Sequence, residues 1–175
     1  MRLADLTTLH LTYQPQGLTL QGPMPAGFHH LEVERRLGRG ETAYERAAEA
    51  LMTYAAQRGI GLRPQASAPR AAVGVDILSR LLVMPIPCRV VWTVEEPLRT
   101  GFGYGTLPGH VETGEEGFLV ERRGADVYAV VRAYSNPAWA LARAAGPILW
   151  RGQQLAALGY LRALQRAADR PRPGG

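Results

Sequence analysis

An α+β domain, with its helices laid against one side of a curved antiparallel sheet, is what this sequence predicts. Three observations carry it: an amphipathic helix early in the chain, a run of strand-period segments joined by short turns, and a long helical segment near the C-terminal end. With 175 residues, 46% hydrophobic and 20% charged, the chain has the size of one core, and residues 1–168 read as a single domain. The Pro/Gly-rich stretch 169–175 reads as a disordered tail.

The first strand is HHLEVERRL, where Leu31, Val33 and Leu37 share one face and Glu32, Glu34 and Arg36 the other. Thr42 and Glu45 then stand at capping-box spacing. Tyr44, Ala47, Ala48, Leu51 and Ala55 follow at helical intervals, which predicts a helix over 42–58 stopped by a left-handed Gly59. After the Pro-rich connection GLRPQASAPR, a period of two runs through 73–77, 81–84, 89–95, 101–104, 117–122 and 127–134. The turns between them are short, so the strands pair as antiparallel hairpins.

From Ser135 onward the pattern is helical, and Gly146-Pro147 divides it into a short helix and a long one over 147–168. Gly152, Ala156, Gly159, Ala163 and Ala167 line one face of the long helix. Such a stripe either brings the helix close to the sheet or leaves volume between them for an apolar ligand.

A net charge of +5 would suit nucleic acid, but the basic residues are all arginines spread along the chain among acids. Nucleic acid is therefore the least favoured partner. The absence of lysine removes Schiff-base chemistry. A lone Cys88 has no internal partner and reads as a buried, inert thiol. No apolar run approaches the roughly 20 residues of a membrane-spanning helix, and Asp5 and Thr7 interrupt the N-terminus, so no membrane span and a cytoplasmic location are expected.

The chemical signature is YGTLPGHVETGEEGFLVERR, Tyr104 to Arg123, which gathers His110, Glu112, Glu115 and Glu116 behind glycine turns. LPGHVETGE is similar to the opening of a nucleoside-diphosphate hydrolase box of the Nudix type. The metal-holding half is missing, because Gly124, Val127 and Tyr128 stand where acids belong. As a metal site the cluster is weakened by Glu115 and Glu116 being adjacent, since neighbours on a strand point to opposite faces. GFGYGTLPG leads into a strand rather than a phosphate-binding helix. No metal or other cofactor is expected. A purely structural alternative has Gly109 and Gly114 making turns while the carboxylates pair with Arg99, Arg122 or Arg123.

GFGYGTLPGHVETGEEGF, YSNPAWALARAAGPI and QLAALGYLRAL, with LTYQPQG and PAGFHHLEVERRLGRG before them, resemble the uncharacterised domain-of-unknown-function family nineteen-ninety of bacteria and plants. The resemblance covers nearly the whole chain and implies a single-domain protein with no assigned activity and no catalytic residues to carry over. Val111 stands where that family usually has a proline after the histidine. The derived architecture is also similar to the helix-grip, or START-like, arrangement, a curved antiparallel sheet wrapped around a long C-terminal helix and enclosing a cavity.

Two functional readings follow. In the first, a small apolar or amphipathic molecule lies between sheet and C-terminal helix, lined by Trp92, Tyr104, Thr106, Tyr134, Trp150, Gly152, Ala156 and Gly159. In the second, the same cavity belongs to an enzyme of lyase, cyclase or hydrolase type. His110 then acts as acid or base, Glu112 or Glu116 orients its other ring nitrogen, and Tyr104 or Thr106 polarises the substrate.

Overall fold

Strand β1 spans His29–Arg39, helix α1 Glu41–Met52 and the short helix α2 Ala55–Gly59. Strands β2 (Gln65–Ala66), β3 (Asp76–Leu81), β4 (Met84–Glu96), β5 (Arg99–Thr106), β6 (Glu112–Arg123) and β7 (Asp126–Pro137) follow, then helix α3 (Gly146–Ala168). This computed structural model describes residues 1–81, 83–138 and 146–169, with side chains in the last stretch from Trp150 onward. The short helix expected ahead of Gly146 and the tail beyond Asp169 lie outside the described residues.

Seven antiparallel strands pair in the order β1-β7-β6-β5-β4-β3-β2. Alternation decides which face they bury. Val127, Ala129, Val131 and Ala133 of β7, Phe118 and Val120 of β6, Phe102 of β5 and Leu31 and Leu37 of β1 turn to one side, and the helices cover it. Ala157, Tyr160, Leu161 and Leu164 of α3 and Tyr44, Ala47 and Leu51 of α1 complete this core. The other side carries a smaller cluster of Trp92, Leu119 and Val130, and the N-terminal segment packs there. Among the described residues no helix is long and apolar enough to cross a membrane.

Three local expectations are corrected. The N-cap of α1 is Gly40, at φ 82°, and it carries no side-chain cap; Thr42 lies inside the first turn, so the Thr42–Glu45 box does not form. The chain leaves β1 through that left-handed glycine, whose N–H bonds the Ala125 carbonyl. The helix also stops at Met52, short of 58. Thr53 Oγ1 takes the Glu49 carbonyl at 2.7 Å, and Tyr54 turns the chain at φ 61° before α2 begins. Gly59 is not the left-handed residue; Gly61 is, at φ 87°.

The small-residue stripe does not face the sheet. A Cβ on Gly59 would fall 2.4 Å from that of Ala163, and one on Gly159 would fall 2.5 Å from Ile60 Cγ2, so the stripe is where α3 meets α2. Gly152 is exposed, and Ala156 is half-buried. The sheet is met by the neighbouring face, with Ala157, Tyr160, Leu161 and Leu164. At Gly159 and Ala163 the stripe therefore supplies close packing of α3 on α2, while Ala156 packs against the main core.

Candidate functional site

Adjacent carboxylates on β6 part company because the strand alternates. Glu115, 2% exposed, points to the outer face, and Glu116 to the helix side. Outside, Tyr13 Oη and the Gly17 N–H donate to Glu115 Oε2 at 2.8 and 2.7 Å, while the Thr19 N–H donates to Oε1 at 2.9 Å. The Thr19 hydroxyl bonds Oε1 as well. Trp92 Nε1 and Tyr134 Oη reach the same carboxylate at 3.3 Å. This carboxylate is the clasp that holds residues 13–19 on the sheet.

The alternating glycines of GFGYGT make room for the clasp. A Cβ on Gly103 would lie 2.1 Å from Trp92 Nε1, and one on Gly105 would lie 2.3 Å from Tyr13 Oη. The glycines thus form a trench for two aromatic rings, while Phe102 and Tyr104 between them point inward. Burial first and then the Glu115 charge push the Tyr13 phenol far above its usual range, so it stays a donor.

Inside, Tyr104 donates to Glu116 Oε2 at 2.6 Å. Tyr160 of α3 packs in the same core, and burial pushes both phenols well up. Phe118 lies between them, with ring centroids 5.4 Å from Tyr104 and 5.1 Å from Tyr160. Glu116 Oε1 is buried with no hydrogen-bond partner among the described residues. Desolvation by burial, opposed by the Tyr104 bond and reinforced by Glu112, raises the Glu116 carboxyl to about 7. Glu112 accepts from Ser135 Oγ at 3.2 Å, and Gln153 Nε2 of α3 donates to that hydroxyl at 3.2 Å. Burial raises Glu112 too.

His110 lies apart from this network. Its Nδ1 accepts the Glu112 backbone N–H at 2.9 Å and is 3.1 Å from the Glu112 carbonyl oxygen; no glutamate side chain orients the ring. Burial lowers its pKa to about 4, so the ring is neutral and weakly basic at pH 7. It borders an open depression of about 360 Å³ with Thr12, Leu107 and Thr113. A second depression, of about 510 Å³, lies beside Tyr54 and Arg58. Among the described residues no three His, Cys, Asp or Glu side chains are placed to hold a metal ion.

Of the residues expected to line a cavity, Tyr104 and Trp150 lie with the helix-side core, Trp150 half-buried and 5.7 Å from the His29 ring. Trp92 and Tyr134 are on the outer face around Glu115. Trp92 is there because a bulge between Val90 and Trp92 shifts the register, so Val90 pairs with Tyr104 but Trp92 with Gly103. Thr106 is at the end of β5, sharing a hydrogen bond with Thr12 Oγ1 at 2.6 Å and accepting the Gly114 N–H at 3.0 Å. Gly152 and Gly159 lie on solvent and on α2 respectively. Sequence reasoning missed Tyr13, Thr19, Ser135, Gln153 and Tyr160. The signal for Tyr160 was its apolar helical spacing with Ala157, Leu161 and Leu164.

A long α-helix packed on one face of a seven-stranded antiparallel sheet is the helix-grip, Bet v 1-like fold. Residues 12–163 match the domain of unknown function DUF1990, and the chain belongs to that family. It is 35% identical over 172 residues to a UPF0548 protein of Deinococcus radiodurans, covering 90% of this chain and 87% of the relative. A hypothetical protein of Helicobacter pylori superposes with TM-score 0.62 at 10% identity, over 81% of this chain and 88% of that one. Norcoclaurine synthase of Thalictrum flavum, solved as a point mutant with a transition-state analogue, gives TM-score 0.54 at 9% identity, over 83% of this chain and 98% of that one. At such identities the likeness to the solved structures is one of fold.

Proposed function

We propose that this protein holds an apolar or amphipathic small molecule between the concave face of the sheet and α3, with the ligand's polar end at Tyr104 and Glu116. The observation that carries the reading is Glu116 Oε1, a buried carboxylate oxygen without a partner among the described residues, set among aromatic rings. Burying an unpaired carboxylate oxygen costs on the order of several kcal/mol, and a ligand group that bonds it would offset that cost. Tyr104, Glu112, Glu116 and Gln153 are each half-buried. The norcoclaurine synthase complex, a protein of the same fold holding a small molecule, supports the reading.

Catalysis in the same site is the second reading, favoured by the Glu116 pKa of about 7. A carboxyl poised there can both give and take a proton near neutral pH, whereas His110 at about 4 is a poor base. The acid–base role expected of His110 therefore passes to Glu116, with Tyr104 as the neighbouring donor.

Amide NMR with a panel of small apolar and amphipathic compounds tests the location. Bound compounds are expected to shift Tyr104, Glu116, Ser135, Gln153 and Tyr160. Shifts confined to Tyr13, Trp92 and Leu119 on the outer face, or to either open depression, would overturn the proposal.

A further inference from the structure

Among the described residues no cation is paired with the interior carboxylates Glu112 and Glu116. Glu116 is faced by Cys88 of β4, Tyr104 of β5, Glu112 of β6 and Tyr160 of α3, and each of these is neutral or negative at pH 7. The arginine ion pairs among the described residues engage other acids, such as Asp76, Asp126, Glu95 and Glu121. Tyr104 occupies one Glu116 oxygen, and the other is left over. Tyr104, which holds the other oxygen, packs its ring on Phe118 at 5.4 Å between centroids, and Phe118 packs on Tyr160 at 5.1 Å. A carboxylate attracts an ammonium directly, and aromatic faces add to that attraction when water is excluded.

Taking the cavity reading above as its basis, we propose that the ligand carries a basic nitrogen on an apolar or aromatic body, the ammonium seated on Glu116 among the rings of Tyr104, Phe118 and Tyr160. An ammonium brings a positive charge, and an N–H donor for the Glu116 oxygen that has no partner among the described residues. An anionic ligand would bring further negative charge beside the Glu116 carboxylate. A neutral ligand would leave the carboxylate charge uncompensated. Ammonium binding requires ionised Glu116, so affinity rises as pH is raised from 6 to 8.

The test uses three matched probes, benzylamine, benzyl alcohol and benzoate, titrated by NMR into the whole chain and into Glu116→Gln and Glu116→Asp variants whose folding is checked by circular dichroism. Benzylamine is expected to bind at least ten-fold more tightly than benzyl alcohol at pH 8. Glu116→Gln should abolish that preference, and Glu116→Asp, which keeps the charge, should retain it. Equal binding of amine and alcohol, preference for benzoate, or a preference surviving in Glu116→Gln would overturn the inference while leaving the cavity reading intact. If none of the three binds at the Tyr104–Glu116 face, both fall together.

Discussion

Replacing Glu115 with alanine is expected to lower stability by about 3–5 kcal/mol, the largest effect of any single carboxylate deletion in the chain. The side chain is 2% exposed and receives Tyr13 Oη, the Gly17 and Thr19 N–H groups and the Thr19 hydroxyl, with Trp92 Nε1 and Tyr134 Oη close by. Alanine strands several buried donors at once, each costing about 1–3 kcal/mol, partly relieved as residues 13–19 lift into water. The melting temperature should fall by roughly 10 °C, and hydrogen exchange should rise first in residues 13–20. Because this clasp is on the outer face, ligand affinity measured well below the melting temperature should change little. A variant as stable as the parent would show that the segment is held by its apolar contacts alone.

Glu116→Gln is expected to act in the opposite direction, and only above acidic pH. The folded carboxyl titrates at about 7, above its ordinary 4.5. The folded state therefore binds the proton more tightly than the unfolded chain between those values. The contribution of this group is fully present below pH 4.5 and is lost as pH rises through 7, by roughly 3 kcal/mol. Glutamine cannot ionise, so the variant should gain on the parent progressively between pH 5 and 8, by roughly 6–12 °C in melting temperature. Glu112, also raised, titrates in both proteins and largely cancels in the comparison. Parallel melting curves across that range would mean that Glu116 is solvated or paired.

The sheet and the long helix were legible because their core-facing apolar residues recur at strand or helix spacing. β1 alternates from Leu31 to Leu37, β7 sets Val127, Ala129, Val131 and Ala133 on one face, and α3 repeats apolar residues at Ala157, Tyr160, Leu161 and Leu164. What resisted reading was register. One bulge after Val90 sends Trp92 to the face opposite the one that a period of two implies, and that single slip moved a tryptophan from the expected lining to the Glu115 clasp. Tyr134 was readable, since Val127, Ala129, Val131 and Ala133 already claim the inner face. The break at Thr53–Tyr54 had no local warning, because left-handed tyrosine is intrinsically disfavoured and is held here by packing of its ring on Phe102 at 5.8 Å. Within the signature, the separation of Glu115 from Glu116 followed from strand geometry. That one carboxylate anchors the N-terminal segment could not, because its donors come from about 100 residues away in sequence.

The most direct test of a ligand at Glu116 is native mass spectrometry of the protein purified from its own host, beside a Glu116→Gln variant from the same cells. The account predicts a small molecule retained by the parent, released on denaturation and depleted in the variant. A bare chain mass for both, or equal retention by both, would contradict it.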